Sequence, residues 1–458
     1  MADETTGGRP PQLDDVQESI EDQLSVGASA AAATELAALR PPDQADVLEE
    51  LDAPSREALM GELSAEALAD IVEHLGAETA AELPGLIDVA SMAQVLDEAP
   101  PEVAADVLRA VEWEIARGIL AQMTSHRSVA RVLLYADDDA GGLMTPDVIG
   151  LNENISVSRA LQILRDSPLP HQKKRQLFVV DPAGTLVGRI GLSELVFAPA
   201  GARISDVMET DVISVETGTD QEECARIMSR YGLRSLPVVD RNGVLEGAVA
   251  IEEMVRVAED EATEDMLKMV GTAGDEKLTG PIRNSIRNRF PWLLVNLGTV
   301  LFAGVLVSLF EGTIERLAII AAFIPVVSGQ AGIAGTQTVT LMVRSLALGD
   351  ISERDSRGVL VREGVLALVQ GVVIASLLGL VVWVWQADFS FGLIVFAALL
   401  GNLILAAIAG VLVPLAMRAL NTDPATSSAV IVTTVTDSFG ILIYLSLAAI
   451  FISTLNVG

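Results

Sequence analysis

The chain has 458 residues, half of them hydrophobic, and a formal net charge of -32; its mean hydropathy of +0.45 is high for a single water-soluble domain. Acidity on this scale repels phosphates, which excludes nucleic acid and anionic surfaces as docking partners and favours cations. A single cysteine, Cys224, excludes an intrachain disulfide.

The two halves differ. From residue 281 onward nine arginines face nine acids, so the excess negative charge belongs to residues 1–280. Lysines stand only at 173, 174, 268 and 277, a bias that fits a salt-adapted surface or a GC-rich genome. The start, MADETTGGRPPQLDD, lacks the basic and apolar stretches of a signal peptide, so the acidic half is expected to face the cytoplasm.

In chain order, residues 1–20 are polar with Gly-Gly and Pro-Pro pairs and read as a flexible lead. Residues 21–138 are rich in Ala, Leu and Glu at helical spacing, and PPDQADVLEEL at 41 is echoed by PPEVAADVLRAV at 100. The pattern predicts stacked short helices. A second repeat follows. LMTPDVIGL at 143 answers VMETDVISV at 207, and LFVVDPAGTLVGRIGLSELV at 177 answers LPVVDRNGVLEGAVAIEEMV at 236. Each copy (139–204 and 205–258) predicts strand, helix, strand, Gly-containing turn, strand and helix, an α/β unit. A helical acidic linker occupies 259–280. Residues 281–458 then carry five long apolar segments, 291–310, 317–345, 359–386, 391–417 and 429–454, each long enough to cross a bilayer. Arginines 283, 287 and 289 precede the first, 344, 354, 357 and 362 follow the second, and 418 follows the fourth, whereas the opposite side has only Arg316. The positive-inside rule then puts the acidic half in the cytoplasm and the C-terminus outside.

Three polar features stand out in the apolar half. Asp437 lies inside the last segment, where an ionised carboxylate costs about 2.5 to 3.5 kcal/mol and normally faces a cavity or a partner. Thr433, Asp437 and Gly440 share one helical face, although hydrogen bonding of the carboxylate to neighbouring hydroxyls is the plainer alternative. IPVVSGQAGIAGTQT, 324–338, packs Pro325, Gly329, Gly332 and Gly335 into one span with Gln330 and Gln337. This segment is expected to break and aim carbonyls at a cavity, against the alternative of small residues packing on a helix. Oxygen donors of this kind suit Mg²⁺ or Ca²⁺, and one carboxylate per chain suits an ion that keeps its waters. Histidines 74, 126 and 171 are too scattered for a zinc site. No nucleophile and base pair, P-loop or redox centre suggests an enzyme.

The tandem copies resemble a pair of CBS domains, which commonly bind adenine nucleotides such as ATP; Glu194 and Glu253 stand where an aspartate usually grips the ribose. With YADDDAGGLM at 135, EATEDM at 261, PWLLVNL at 291, LVREG at 360 and DPATSSAVIVTTVTDSFG at 423, nearly the whole chain resembles the MgtE family of magnesium channels. The resemblance implies a homodimer in the cytoplasmic membrane, its second and fifth spans lining a pore plugged by the helix after the CBS pair. It implies Asp437 as the carboxylate holding hydrated Mg²⁺, with Thr433, Gly329 and Gly332 contributing carbonyls. It also implies a Mg²⁺ sensor that closes the pore, with Asp220, Glu222, Glu253, Glu261, Glu264 and Asp265 as candidates and Asp423 as their pore-side partner. Two positions depart from the family pattern: Ile333 and Ala429 stand where asparagine is usual, which leaves a less selective channel passing Mn²⁺, Co²⁺ or Ca²⁺ as the alternative. A cation/proton or cation/sodium exchanger using Asp437 and Glu363, or a sensor without transport, are the other classes.

Overall fold

The computed structural model describes residues 13–167, 176–274, 276, 282–348, 351, 355–426 and 428–455. His171 and Lys277 lie outside them. The chain divides into two compact units, Met1–Val257 and Ala258–Gly458.

The first unit begins with helices α1 (Leu13–Ser25), α2 (Ser29–Leu36), α3 (Pro41–Glu50), α4 (Ala53–Met60), α5 (Ala65–Val72), α6 (Ala77–Leu86), α7 (Val89–Glu98), α8 (Pro101–Ala110), α9 (Trp113–Leu120) and α10 (His126–Val132). Helix α1 starts inside the stretch expected to be a lead: LDDVQESIEDQL places Val16 and Ile20 four apart, and both are buried in the core. Starts are encoded locally. Proline occupies the first turn of α3, α4 and α8, where a missing N–H is harmless, and Asp52, Ser64 and Asp88 accept first-turn amides of α4, α5 and α7. Each helix packs on its second neighbour, α3 on α5, α5 on α7, α6 on α8. Arg56 is buried and ties this array together through the carbonyls of Leu48 (3.0 Å) and Leu51 (2.9 Å) and the Glu82 carboxylate (2.7 Å).

After the short α11 (Ala140–Leu143), the repeat predicted from VVD appears as two like-built sheets. In the first, β1 (Gly150–Asn152) lies parallel to β2 (Gln176–Val180), which pairs antiparallel with β3 (Leu186–Gly191); in the second, β4 (Val215–Glu216), β5 (Ser235–Val239) and β6 (Leu245–Ala250) repeat that order. Their helices are α12 (Val157–Asp166), α13 (Leu192–Phe197) and α14 (Gln221–Tyr231). The copies join through their Gly turns, Leu186 N–H donating to Gly243 O and Leu245 N–H to Gly184 O. Cys224 is buried in the second copy, and desolvation, with Asp220, Glu223 and Asp139 nearby, pushes its thiol up to about 12.

Helix α15 (Ile251–Met269) is one element where two were expected, a closing CBS helix and a linker helix from 259. Two residues past its end stands Gly271, whose φ of +79° suits only glycine comfortably.

The second unit contains α16 (Ile282–Ser308), α17 (Glu311–Arg316), α18 (Ile320–Ala347), α19 (Ser356–Gln386), α20 (Phe389–Ala419) and α21 (Ser428–Leu455). Helices α16, α19, α20 and α21 are long and apolar enough to cross a membrane. Helix α18 is 28 residues long, but its Gly, Gln and Thr content keeps it out of that set. Helices α18, α20 and α21 pack mutually, α19 lies on α20 and α16 on α21. The expected break in α18 does not occur: the helix runs unbroken through Pro325 and the three glycines. Close packing explains this, since a Cβ on Gly335 would meet Val432 at 2.6 Å and Ala406 at 3.6 Å. Gly335 lets the neighbouring helices approach rather than opening the backbone.

Candidate ion site

The site is built where α18 meets α21. On α21, VTTVTDSFG puts Thr433 and Asp437 one turn apart. Both side chains are half-buried, and Asp437 makes no hydrogen bond or ion pair with any described residue. The threonines beside it are satisfied locally: Thr433 and Thr434 donate to Val430 O at 3.0 and 2.7 Å, and Thr436 to Thr433 O at 3.0 Å. The alternative of a carboxylate hydrogen-bonded to neighbouring hydroxyls therefore does not describe Asp437.

Across from it, a Cβ on Gly332 would touch Thr433 at 3.7 Å and Thr436 at 3.9 Å, while Gly335 faces Val432 and Tyr444 Oη donates to Ile320 O at 2.9 Å. These pairs define an antiparallel register, and extending it puts Gly329 level with Asp437. Gly329 is open, with nothing within 4 Å of the space a Cβ would take. Because α18 is helical, the carbonyls of Gly329 and Gly332 are engaged in the helix and offer only outward lone pairs. Ile333 is 58% exposed on the same stripe as Gly329 and Gln337. Ala429 instead packs in an apolar cluster with Met269, Val339 and Val432.

That cluster brings the end of α15 onto the α18–α20–α21 bundle, and above it sit the charges. Lys268 pairs with Glu264 one turn back and with Asp423 at 3.1 Å, in the turn leading to α21. Asp423 also accepts from Ala425 N–H at 2.8 Å. Desolvation, then the nearby carboxylates of Asp423 and Glu261, push Asp265 up to about 6, while Lys268 opposes them. Burial works to lower the Lys268 ammonium, but hydrogen bonds to Glu264 and Asp423 and their charges outweigh it and hold the group well above its usual range. Glu264 and Asp423 thus hold Lys268, which the sequence reading did not single out, with Asp265 within reach of the same charges and Glu261 beside Asp265. Among the described residues no three His, Cys, Asp or Glu side chains converge at metal-binding spacing.

The remaining candidates lie in the first unit. Asp220 caps α14 through Glu222 N–H at 2.9 Å and pairs by backbone with Asp139. Burial, then Asp138 and Asp220, raise the Asp139 carboxyl. Glu253 is paired to Arg256. It also faces Asp106 of α8, whose carboxyl is pushed up to about 6, chiefly by desolvation, with Arg109 opposing and Glu253 adding to the rise. Its side chain remains 48% in contact with water. Asp106 was missed because, in PPEVAADVLRAV, it reads as one more surface acid at helical spacing. Glu194 accepts Gly191 N–H at 2.6 Å, which commits it to the start of α13. Glu363 is buried, held by Arg362 at 2.6 Å and Thr338 at 3.4 Å.

Comparison with known proteins agrees with this architecture. Residues 324–447 match a family model described as a divalent cation transporter, 140–201 and 204–260 match CBS domains, and 39–138 match the MgtE intracellular N domain. The chain is 35% identical to the magnesium transporter MgtE of Thermus thermophilus over 69% of its length and 71% of the relative's. It is 32% identical to the Enterococcus faecalis magnesium transporter MgtE over 70% and 71% of the two chains. A solved cytosolic domain of the Mg²⁺ channel MgtE in complex with ATP is 30% identical, covering 53% of this chain and 99% of that one, with a TM-score of 0.48. The chain, a multidomain membrane protein with a helical N domain, a CBS pair and a helical membrane region, belongs to the MgtE family of magnesium transporters.

Proposed function

We propose that this protein is a Mg²⁺-selective, Mg²⁺-gated channel, working as a homodimer in the cytoplasmic membrane and importing the ion down the membrane potential. That potential favours divalent entry by about 4.6 kcal/mol per 100 mV. The carrying observation is the unpaired Asp437 carboxylate, level with the glycine stripe of α18. Two copies around a dyad would offer two such carboxylates to one hydrated ion. The reading counts α18 as a span, five in all, with the N-terminal half cytoplasmic and the C-terminus outside. Transport, not a chemical reaction, is the activity.

Gating in this reading uses the carboxylates. Mg²⁺ among Glu261, Glu264, Asp265 and Asp423, and among Asp220, Glu222 and Glu253, would relieve their repulsion and favour closure; loss of Mg²⁺ would restore it. The ATP part is carried from the relative solved with it. Here Glu194 and Glu253 already hold partners, so nucleotide binding requires their release, and a thermal-shift titration with ATP tests it.

A less selective divalent channel is the second reading, favoured by the exposed Ile333. The exchanger reading is less well supported, since Glu363 is already neutralised by Arg362. Influx of Mg²⁺, Mn²⁺, Co²⁺ and Ca²⁺ into proteoliposomes at fixed voltage, wild type beside Asp437→Ala, decides. Mg²⁺-preferring flux lost with Asp437 is expected. Equal flux of all four ions would select the second reading, counterflow of protons or Na⁺ the exchanger, and unchanged flux in Asp437→Ala would sink the pore assignment.

A further inference from the structure

Helices α18, α20 and α21 meet around a side chain that the ion site does not use. Asn402 is the sole amide side chain of α20 and is fully buried. Its Nδ2 donates to the carbonyl of Val327 on α18 at 3.1 Å. On α21 it faces Gly440, where an added Cβ would collide with the carboxamide, reaching Cγ at 2.6 Å. Its Oδ1 is buried with no hydrogen-bond partner among the described residues.

Packing alone does not account for this choice. Leucine is close in size and would leave no orphaned acceptor, which makes an amide the costlier filling of the space. The placement gives the amide a task. Val327 lies two residues before Gly329, where the glycine run begins. Tyr444 donates to Ile320, two turns earlier on the same face of α18. Beyond Val327, no side chain of α20 or α21 among the described residues hydrogen-bonds to α18. Asn402 therefore makes the last side-chain hydrogen bond from α20 or α21 to α18, among the described residues, before Gly329, the residue level with Asp437. Gly440 is three residues after Asp437, so the same carboxamide also limits how closely α21 can approach.

We propose that Asn402 is a positioning residue for ion passage. It holds the α18 backbone at Val327 and, through the gap at Gly440, the level of Asp437 against the glycine stripe, and thereby sets ion affinity and selectivity. This rests on the pore reading above.

The test is Mg²⁺ and Ca²⁺ influx by the full-length protein in proteoliposomes, with melting temperature recorded for each variant. Asn402→Leu is expected to keep its melting temperature, to raise half-saturating Mg²⁺ roughly three- to twentyfold, the range of one side-chain hydrogen bond between membrane helices, and to lower the preference for Mg²⁺ over Ca²⁺. Wild-type half-saturation and preference in that variant would overturn the proposal. Should Asn402→Leu not fold, the pair Gly440→Ala and Asn402→Ala serves. The added methyl is expected to impair flux alone, but not in the Asn402→Ala background, where room has been made; simply additive effects would overturn the contact's role. Asp437→Ala, run alongside, separates the two readings. Sensitivity at Asp437 with silence at Asn402 removes the positioning role alone, whereas unchanged flux in Asp437→Ala removes the pore reading and this inference with it.

Discussion

The membrane unit has acidic groups in two settings, and they are opposites. Asp437 stands alone on a helix face, without a partner among the described residues. At the end of α15, Glu264, Asp265 and Asp423 crowd around Lys268. A lone carboxylate in an apolar helix is costly to keep, and it gains most from a passing cation. In the gating reading proposed above, a cluster already holding one positive charge would respond instead to a change in the cation supply. The contrast separates a place suited to conduct from a place suited to sense.

The largest expected effect breaks the first half of that contrast. Asp437→Ala should abolish divalent flux in proteoliposomes without lowering the melting temperature, because removing an unpaired carboxylate costs no contact. Next, neutralising Glu261, Glu264 and Asp265 together should give a channel that high Mg²⁺ on the cytoplasmic face no longer closes; closure at wild-type Mg²⁺ would put the sensor elsewhere. Lys268→Met tests the tethered charge. With the ammonium gone, the carboxylates attract Mg²⁺ more strongly, and half-closing Mg²⁺ should fall roughly three- to tenfold, as expected for one partly exposed unit charge at contact distance. An unchanged value would mean that Lys268 does not compete with the ion.

The smallest effect is a pH dependence. The folded Asp265 carboxyl titrates near 6, above its unfolded range, so the folded state holds the extra proton. Its contribution to stability is complete below the unfolded carboxylate range and is lost as pH rises through about 6. In Mg²⁺-free buffer, α15 should be cut by protease more slowly at pH 5.5 than at pH 7.5. Asp265→Asn should show the slow rate at both values, and equal rates for the wild type would remove Asp265 from the account.

Much of this was legible in the residues. The doubled VVD strands with their Gly turns specify two matching sheets, and a carboxylate inside VIVTTVTDSFG announces itself against its apolar surroundings. What could not be read depended on neighbours distant in sequence. The glycines of α18 suggested a broken helix, but whether a small residue loosens a backbone or admits another helix is decided by what packs on it, as Val432 and Ala406 do on Gly335. Lys268 looks like an ordinary i, i+4 partner of Glu264, and only the fold brings Asp423 to it. Asn402 could have been found, since it is the single amide in GNLILAAIAG and neighbouring apolar text, but its partners at Val327 and Gly440 could not.

The buried Cys224 leaves the chain effectively without a reactive thiol at neutral pH. A cysteine introduced at Gly329 or Ile333 would be the one site open to a water-soluble alkylating reagent, with no background to remove first. Labelling rates measured with and without Mg²⁺ would then map which residues of α18 meet water, and when, without recording any current.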